Sequence, residues 1–331
     1  MSETTTLNTE SVLLANDGNF EEIAFDVFRH QYEHNKIYRA YCDALKTDVR
    51  TVIQLTDIPF LPISFFKTHE VITSNTGKKH ELIFESSKTT GDTASRHQIT
   101  DASVYERSLL SGFEQFYGRP EDYVILALLP SYLERQNASL VYMAKTLMEK
   151  GGHAESGFYI NEWEQLRSAL VKAEQKNKKV LLLGVTFALL DFAEAYPMPL
   201  RNTILMETGG MKGRKEEMTR TAVHEILKTQ WQLDAIHSEY GMTELLSQGY
   251  ARTDGIFSTT HTMRVFVRDI NDPLSVSTSG TGALNIIDLA NVHSCSFIAT
   301  EDIGNIAPDD TFEVLGRLDH SALRGCSLMA V

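Results

Sequence analysis

Four short stretches have side chains suited to binding a nucleotide. Ser86-Ser87-Lys88-Thr89-Thr90-Gly91 gathers four hydroxyls, one cation and a glycine. Hydroxyls and backbone N–H groups are the donors a phosphate needs, and glycine allows close approach of the chain. The same composition also serves an ordinary polar hairpin. Tyr240-Gly241-Met242-Thr243-Glu244 offers an aromatic face for a purine, a hydroxyl for a phosphate and a carboxylate that can hold Mg²⁺ as a hard oxygen ligand. A strand–turn–helix junction capped by Thr243 accounts for that spacing as well. Asp302, in Thr300-Glu301-Asp302, can accept two hydrogen bonds at once, which suits the vicinal hydroxyls of a ribose, or can simply form a turn before Gly304. Arg317, in Gly316-Arg317-Leu318-Asp319, adds a cation that a solvated surface would also accommodate.

Other chemistries fail on spacing. No GxxxxGK[ST] phosphate loop and no GxSxG nucleophile elbow occur. His224-Glu225 begins HExxH, but Lys228 stands where the second histidine belongs. Ser64-Phe65-Phe66-Lys67 matches SxxK without its partner motifs. Cys326 is followed by five residues, which excludes a prenylation box.

The elements that must position these residues alternate. Phe20–Leu45 carries helical spacing without a proline, and a proline-punctuated run, Ile58 to Pro62, leads into Phe65-Phe66-Lys67. Glu81–Phe84 and Gln98–Thr100 read as strands around the Ser86–Gly91 loop. Helices are expected at Ala102–Tyr117, Asn137–Lys150, Trp163–Gln175, Phe187–Tyr196, Glu216–Leu227 and Thr243–Gln248. Strands are expected at Tyr123–Leu129, Val180–Gly184, Thr203–Met206 and Asp234–His237. Continuous apolar strands separated by helices predict parallel sheets covered on both faces. From about residue 256 short strands with Gly, Asp and Pro turns take over. The expected fold class is α/β: an αβα core of mostly parallel sheets over residues 1–255, its first 55 residues helical, and a β-rich lobe over 256–331.

The 331 residues suffice for a large core, as one domain or two. A net charge of −13, without any strongly basic block, argues against a nucleic-acid partner. The N-terminus, MSETTTLNTE, has no export-signal pattern, and the longest apolar stretch, Val180 to Leu190, falls short of the ~20 residues of a membrane helix. Cys42, Cys295 and Cys326 lie far apart with no CxxC pair. A reduced, cytoplasmic protein is expected, with Cys42 (in a helix) and Cys295 (in a strand) structural.

Taken in order, the stretches resemble the adenylate-forming superfamily, in which a carboxylate attacks the α-phosphate of ATP to give an acyl-AMP. Within it the chain is most similar to the LuxE acyl-protein synthetase family, with phenylacetate–CoA ligase-like enzymes as wider relatives. The likeness rests on Ile58-Pro59-Phe60-Leu61-Pro62 through Lys67, the phosphate loop continuing into Ser95-Arg96-His97, and Leu129 to Arg135. Gly209-Gly210, Tyr240–Glu244 and Arg324-Gly325-Cys326-Ser327 complete it.

This resemblance implies ATP and Mg²⁺ as cofactors and a fatty acid or other carboxylic acid as substrate. ATP contacts would come from Ser86, Ser87, Lys88, Thr89, Thr90, Gly91, Gly209, Gly210, Tyr240, Gly241, Met242, Thr243, Asp302 and Arg317, with Glu244 on the metal. The acyl group would pass to Cys326, which matches the family's C-terminal acceptor, and then to an acyl-CoA reductase-type partner. Catalytic roles thus fall on Thr243, Glu244, Lys88 and Cys326. The family loop usually reads Ser-Ser-Gly-Thr-Thr-Gly, so Lys88 is a departure that brings a charge to the phosphates or stiffens the loop. Related CoA ligases continue into a small C-terminal domain bearing a lysine that assists adenylation. That domain is expected to be absent, since only six residues follow Gly325. An acid–CoA or acid–carrier ligase completed by a separate protein, and a non-catalytic nucleotide- or acyl-binding subunit, are the alternative readings.

Overall fold

The structure, a computed structural model of the chain, describes residues 7, 9–73, 80–86, 93–130, 137–209 and 218–318. Its frame is one long mixed sheet. At one end five strands run parallel, in the order Gly157–Tyr159, Val124–Leu128, Val180–Val185, Thr203–Thr208 and His237–Tyr240. Every residue of Val124–Leu128 and Val180–Val185 is buried, so both faces of this part are covered. The intervening helices include Ala102–Tyr117, capped by Asp101, and Trp163–Gln175, both with the expected bounds. Ser139–Gly151 closes on Gly152, whose left-handed φ of 68° suits glycine.

The sheet then continues antiparallel through Gly249–Ala251, Phe257–Thr259, Phe312–Arg317, Phe297–Ile306, Gly280–Asp288, Met263–Arg268 and Val276–Ser277. The parallel pairing expected of the core is found in the first five strands, and the strands after them pair antiparallel, apart from Leu61–Pro62 alongside Phe297–Ile306. Hydrogen bonding is unbroken across residue 255, because Phe257–Thr259 pairs with both Gly249–Ala251 and Phe312–Arg317. Two of the later strands are long, nine residues for Gly280–Asp288 and ten for Phe297–Ile306.

The helical stretch Phe20–Leu45 is two helices, Phe20–His34 and Lys36–Ala44. Asn35 separates them: its backbone is extended, and its side chain accepts from Tyr38 N, capping the second helix. Their apolar faces join the antiparallel half of the core, where the Phe28 and Tyr38 rings pack on Phe297 at 6.0 and 5.7 Å. Gln31 reaches further, donating to the carbonyls of Asn291 and Val292 and accepting from Ser296 N.

Three local expectations need correction. The strand placed at Asp234–His237 is His237–Tyr240, so Tyr240 belongs to the sheet. No helix forms at Thr243–Gln248, which is a run of turns. There the N–H groups of Leu246 and Ser247 donate to the Asp288 carboxylate instead of to carbonyls one helical turn back. Cys295 precedes the strand Phe297–Ile306, its thiol donating to the Phe297 carbonyl at 3.4 Å.

Candidate active site

The C-terminal ends of the central parallel strands deliver the candidate residues. Thr208 pairs with Glu239, so Gly209 and Tyr240 follow each other's partners at the same sheet edge. Gly209 turns the chain out at a φ of 73°, and the Thr186 hydroxyl holds its carbonyl at 2.5 Å. That hydroxyl also reaches Glu207 Oε2 at 2.7 Å, and Glu207 accepts from the Ser238 hydroxyl at 3.1 Å. Gly241 is exposed, and a Cβ there would overlap Glu239 Oε1, so a larger residue would displace the end of that carboxylate. Burial pushes the Glu239 carboxyl up to about 7, against the pull of the Thr208 hydroxyl bond.

Tyr240 is buried, with Phe257 and Phe312 packed on its ring at 5.9 and 5.4 Å. Its hydroxyl donates to Asp302 Oδ2 at 2.9 Å, and Arg317 Nε donates to Asp302 Oδ1 at 3.1 Å. Asp302 and Arg317 face each other on neighbouring antiparallel strands. Burial, then the Asp302 charge, holds the Tyr240 hydroxyl well above its ordinary pKa. Each Asp302 oxygen keeps a further lone pair for a vicinal diol.

Glu244 is also buried, and burial raises its carboxyl, opposed first by the neighbouring Ser95 side chain, then by its own backbone N–H and the Arg317 charge. Ser95 is the anchor of the hydroxyl-rich loop: Ser95 N donates to Ser86 Oγ at 2.9 Å, and Ser86 N donates to the Ser95 carbonyl at 3.1 Å. The start of the loop is thus tied to Ser95, which lies beside Glu244. The two flanking strands, Leu82–Glu85 and Arg96–Ile99, form the antiparallel hairpin expected there. Met242 and Thr243 are half-buried beside Glu244. A divalent cation would restore the charged form that burial disfavours at Glu244, and this donor chemistry fits a metal–nucleotide complex.

The structure therefore brings together Ser86, Gly209, Tyr240, Gly241, Thr243, Glu244, Asp302 and Arg317. Ser87, Lys88, Thr89, Thr90, Gly91, Gly210 and Cys326 lie outside the described residues. Cys42 and Cys295 are both buried free thiols; burial pushes Cys42 up to about 12 and Cys295 higher still, which leaves them unreactive.

Sequence reading missed the residues that shape the turn. Asp288 accepts from Leu246 N, Ser247 N, Ala290 N and the Ser247 hydroxyl. Burial lifts its carboxyl to about 6 against those donors. Asn291 Nδ2 donates to the Glu244 carbonyl at 2.8 Å, and His97 Nδ1 bonds the Thr243 carbonyl at 2.9 Å. Burial lowers the His97 pKa to about 4, so its ring is neutral. The only sequence signal for any of them is that His97 closes Ser95-Arg96-His97.

The architecture is that of the adenylate-forming enzymes. A solved 2-hydroxyisobutyryl-CoA ligase in complex with 2-HIB-AMP and CoA matches with a TM-score of 0.69 over 92% of this chain and 68% of its own, at 13% identity. ATP-bound MatB from Rhodopseudomonas palustris matches at 0.56 over 74% of this chain and 50% of its own, at 15% identity. The chain belongs to the family described as acyl-protein synthetase, LuxE, whose model matches residues 15–330. A long-chain-fatty-acid–luciferin-component ligase from Photorhabdus luminescens is 41% identical over 71 residues, 22% of this chain. That match spans 60% of the relative, and the chain aligns with about half of MatB.

Proposed function

We propose that the protein activates a carboxylic acid, a long-chain fatty acid foremost, with ATP and Mg²⁺, and then carries the acyl group on Cys326. Acid oxygen attacks the α-phosphorus and pyrophosphate leaves, giving acyl-AMP. The Cys326 thiolate then attacks the acyl carbonyl and AMP leaves, giving a thioester for an acyl-CoA reductase-type partner. The observation that carries this reading is the convergence of the Tyr240–Asp302–Arg317 cluster with buried Glu244 and the Ser86–Ser95 pair beside it, at the ends of the parallel strands. Asp302 would hold the ribose hydroxyls, Tyr240 the purine edge, and Glu244 the metal on the phosphates. Thr243 would donate to the α-phosphate. Ser86 to Gly91, Gly209 and Gly210 would wrap the phosphates, with Lys88 adding charge and Gly241 and Met242 completing the nucleotide wall.

Among the described residues no helix is long and apolar enough to cross a membrane, and two cysteines are free thiols. We propose a cytoplasmic location from the reduced-type cysteine usage.

Acid-dependent exchange of labelled pyrophosphate into ATP, across a panel of carboxylic acids, tests the activation step. Exchange that requires one class of acid supports it. Tight ATP binding with no exchange for any acid supports a binding subunit instead.

A further inference from the structure

His97 stands apart from the groups already given roles, yet it touches the turn on which they depend. It lies on the strand Arg96–Ile99, two residues past Ser95, and its side chain is fully buried. The Phe66 ring meets it edge-on, centroid to centroid 5.5 Å. Its Nδ1 is 2.9 Å from the Thr243 carbonyl, 146 residues away in sequence. A carbonyl only accepts, so Nδ1 carries the proton and Nε2 is a bare acceptor. Nε2 is buried and has no partner among the described residues. One side of this imidazole is therefore satisfied and the other is not.

The neighbouring carbonyl, that of Glu244, is held separately by Asn291 Nδ2. Two consecutive carbonyls are thus fixed by side chains from different parts of the fold. Asn291 belongs to the turn pinned by Gln31, whereas His97 belongs to the hairpin that carries Ser86 and Ser95. Freeing the Thr243 carbonyl would loosen the backbone dihedrals on which the directions of the Thr243 hydroxyl and the Glu244 carboxylate depend.

We infer that His97 is a positioning residue: its Nδ1–H, donating to the Thr243 carbonyl, locks the Thr243–Glu244 turn to the Ser86–Ser95 hairpin and sets the geometry for adenylation. The catalytic part of this inference rests on the function proposed above; the positioning part does not.

Three variants separate the two ring nitrogens. Asparagine places its amide nitrogen where imidazole Nδ1 stands, glutamine places its own where Nε2 stands, and leucine removes both. Amide hydrogen exchange in the ligand-free protein reads the turn directly, in a peptide spanning 241–247. His97→Leu and His97→Gln should speed exchange there by about tenfold or more, with His97→Asn staying within roughly threefold of the unaltered protein. A peptide spanning the strand 180–185 should not change in any variant, which also reports that each has folded. In acid-dependent pyrophosphate exchange, leucine and glutamine should lower kcat by about tenfold or more with the KM for ATP within roughly threefold, and asparagine should restore kcat.

Unchanged protection of 241–247 in His97→Leu overturns the inference. So does equal loss in the asparagine and glutamine variants, or rescue by glutamine alone. Faster exchange at the turn with unaltered kcat reduces His97 to a structural contact. Absence of pyrophosphate exchange in the unaltered protein would count against the proposed function, while the hydrogen-exchange result would still decide the positioning role.

Discussion

The Tyr240 hydroxyl donates to Asp302 across 62 residues of sequence, and the Arg317 guanidinium occupies the other oxygen of the same carboxylate. One side chain thus ends a parallel strand while its acceptor sits in the middle of an antiparallel one. The pair joins the two halves of the sheet at the point where the nucleotide is proposed to bind. Arg317 is three-quarters exposed on its side chain and Asp302 one-tenth, so the carboxylate is buried and its cation faces solvent.

Asp302→Asn should weaken ATP binding by about tenfold or more, because an amide replaces one acceptor with a donor and drops the charge that Arg317 faces. Tyr240→Phe should cost about 1–2 kcal/mol of stability through the lost hydrogen bond while leaving the aromatic face in place. Calorimetric titration with ATP and urea unfolding check the two effects. An unchanged ATP affinity in Asp302→Asn would remove Asp302 from the site.

Glu244→Gln should abolish most acyl-AMP formation and leave the fold intact, since glutamine keeps the size and hydrogen-bonding capacity of the side chain but cannot hold a hard cation as a charged ligand. The loss expected is several kcal/mol of barrier, on the order of 100-fold or more in rate. Retention of exchange within about threefold would exclude the carboxylate from catalysis.

Lys88→Gly should weaken ATP binding or slow adenylation, if the cation acts on the β- and γ-phosphates. Steady-state kinetics against ATP reads both. Faster turnover in the glycine variant would show that Lys88 is a defect in the loop.

Glu239 makes stability depend on pH. Its folded pKa of about 7 lies above the ordinary 4.5, so the folded state binds the extra proton. Stability from this group is full in acid and falls as pH rises from the ordinary value through the folded one. Glu239→Gln lacks that titration. Its unfolding free energy relative to the unaltered protein should therefore rise by on the order of 2–3 kcal/mol between about pH 5 and about pH 8. Urea unfolding at both values measures the difference. A gap that does not change with pH would show that Glu239 titrates normally. Asp288, also raised, is present in both proteins and cancels.

The parallel half of the fold was legible because its strands are continuously apolar and its helices carry clear periodicity and caps; Ala102–Tyr117 and Trp163–Gln175 match to the residue. The turn after Tyr240 was not. Thr243 to Gln248 contains good helix formers, but Asp288, 42 residues beyond Leu246, takes the N–H groups a helix would need. No local pattern announces such a partner. The break within Phe20–Leu45 has a related cause: the Asn35 side chain caps a new helix where the apolar periodicity runs on. The residue types suited to binding a nucleotide could be read from the sequence, whereas of the groups around the turn Asp288 and Asn291 come from segments carrying no nucleotide-binding pattern, and His97 is marked only as the close of Ser95-Arg96-His97.

The most direct test is peptide mass spectrometry after incubation with ATP, Mg²⁺ and a labelled fatty acid. The predicted result is an acyl group on Cys326, released by neutral hydroxylamine as a thioester should be, and absent in Cys326→Ser while acid-dependent pyrophosphate exchange persists. Label on Cys42 or Cys295, or measurable acyl-AMP with no acylated cysteine, would contradict transfer to Cys326.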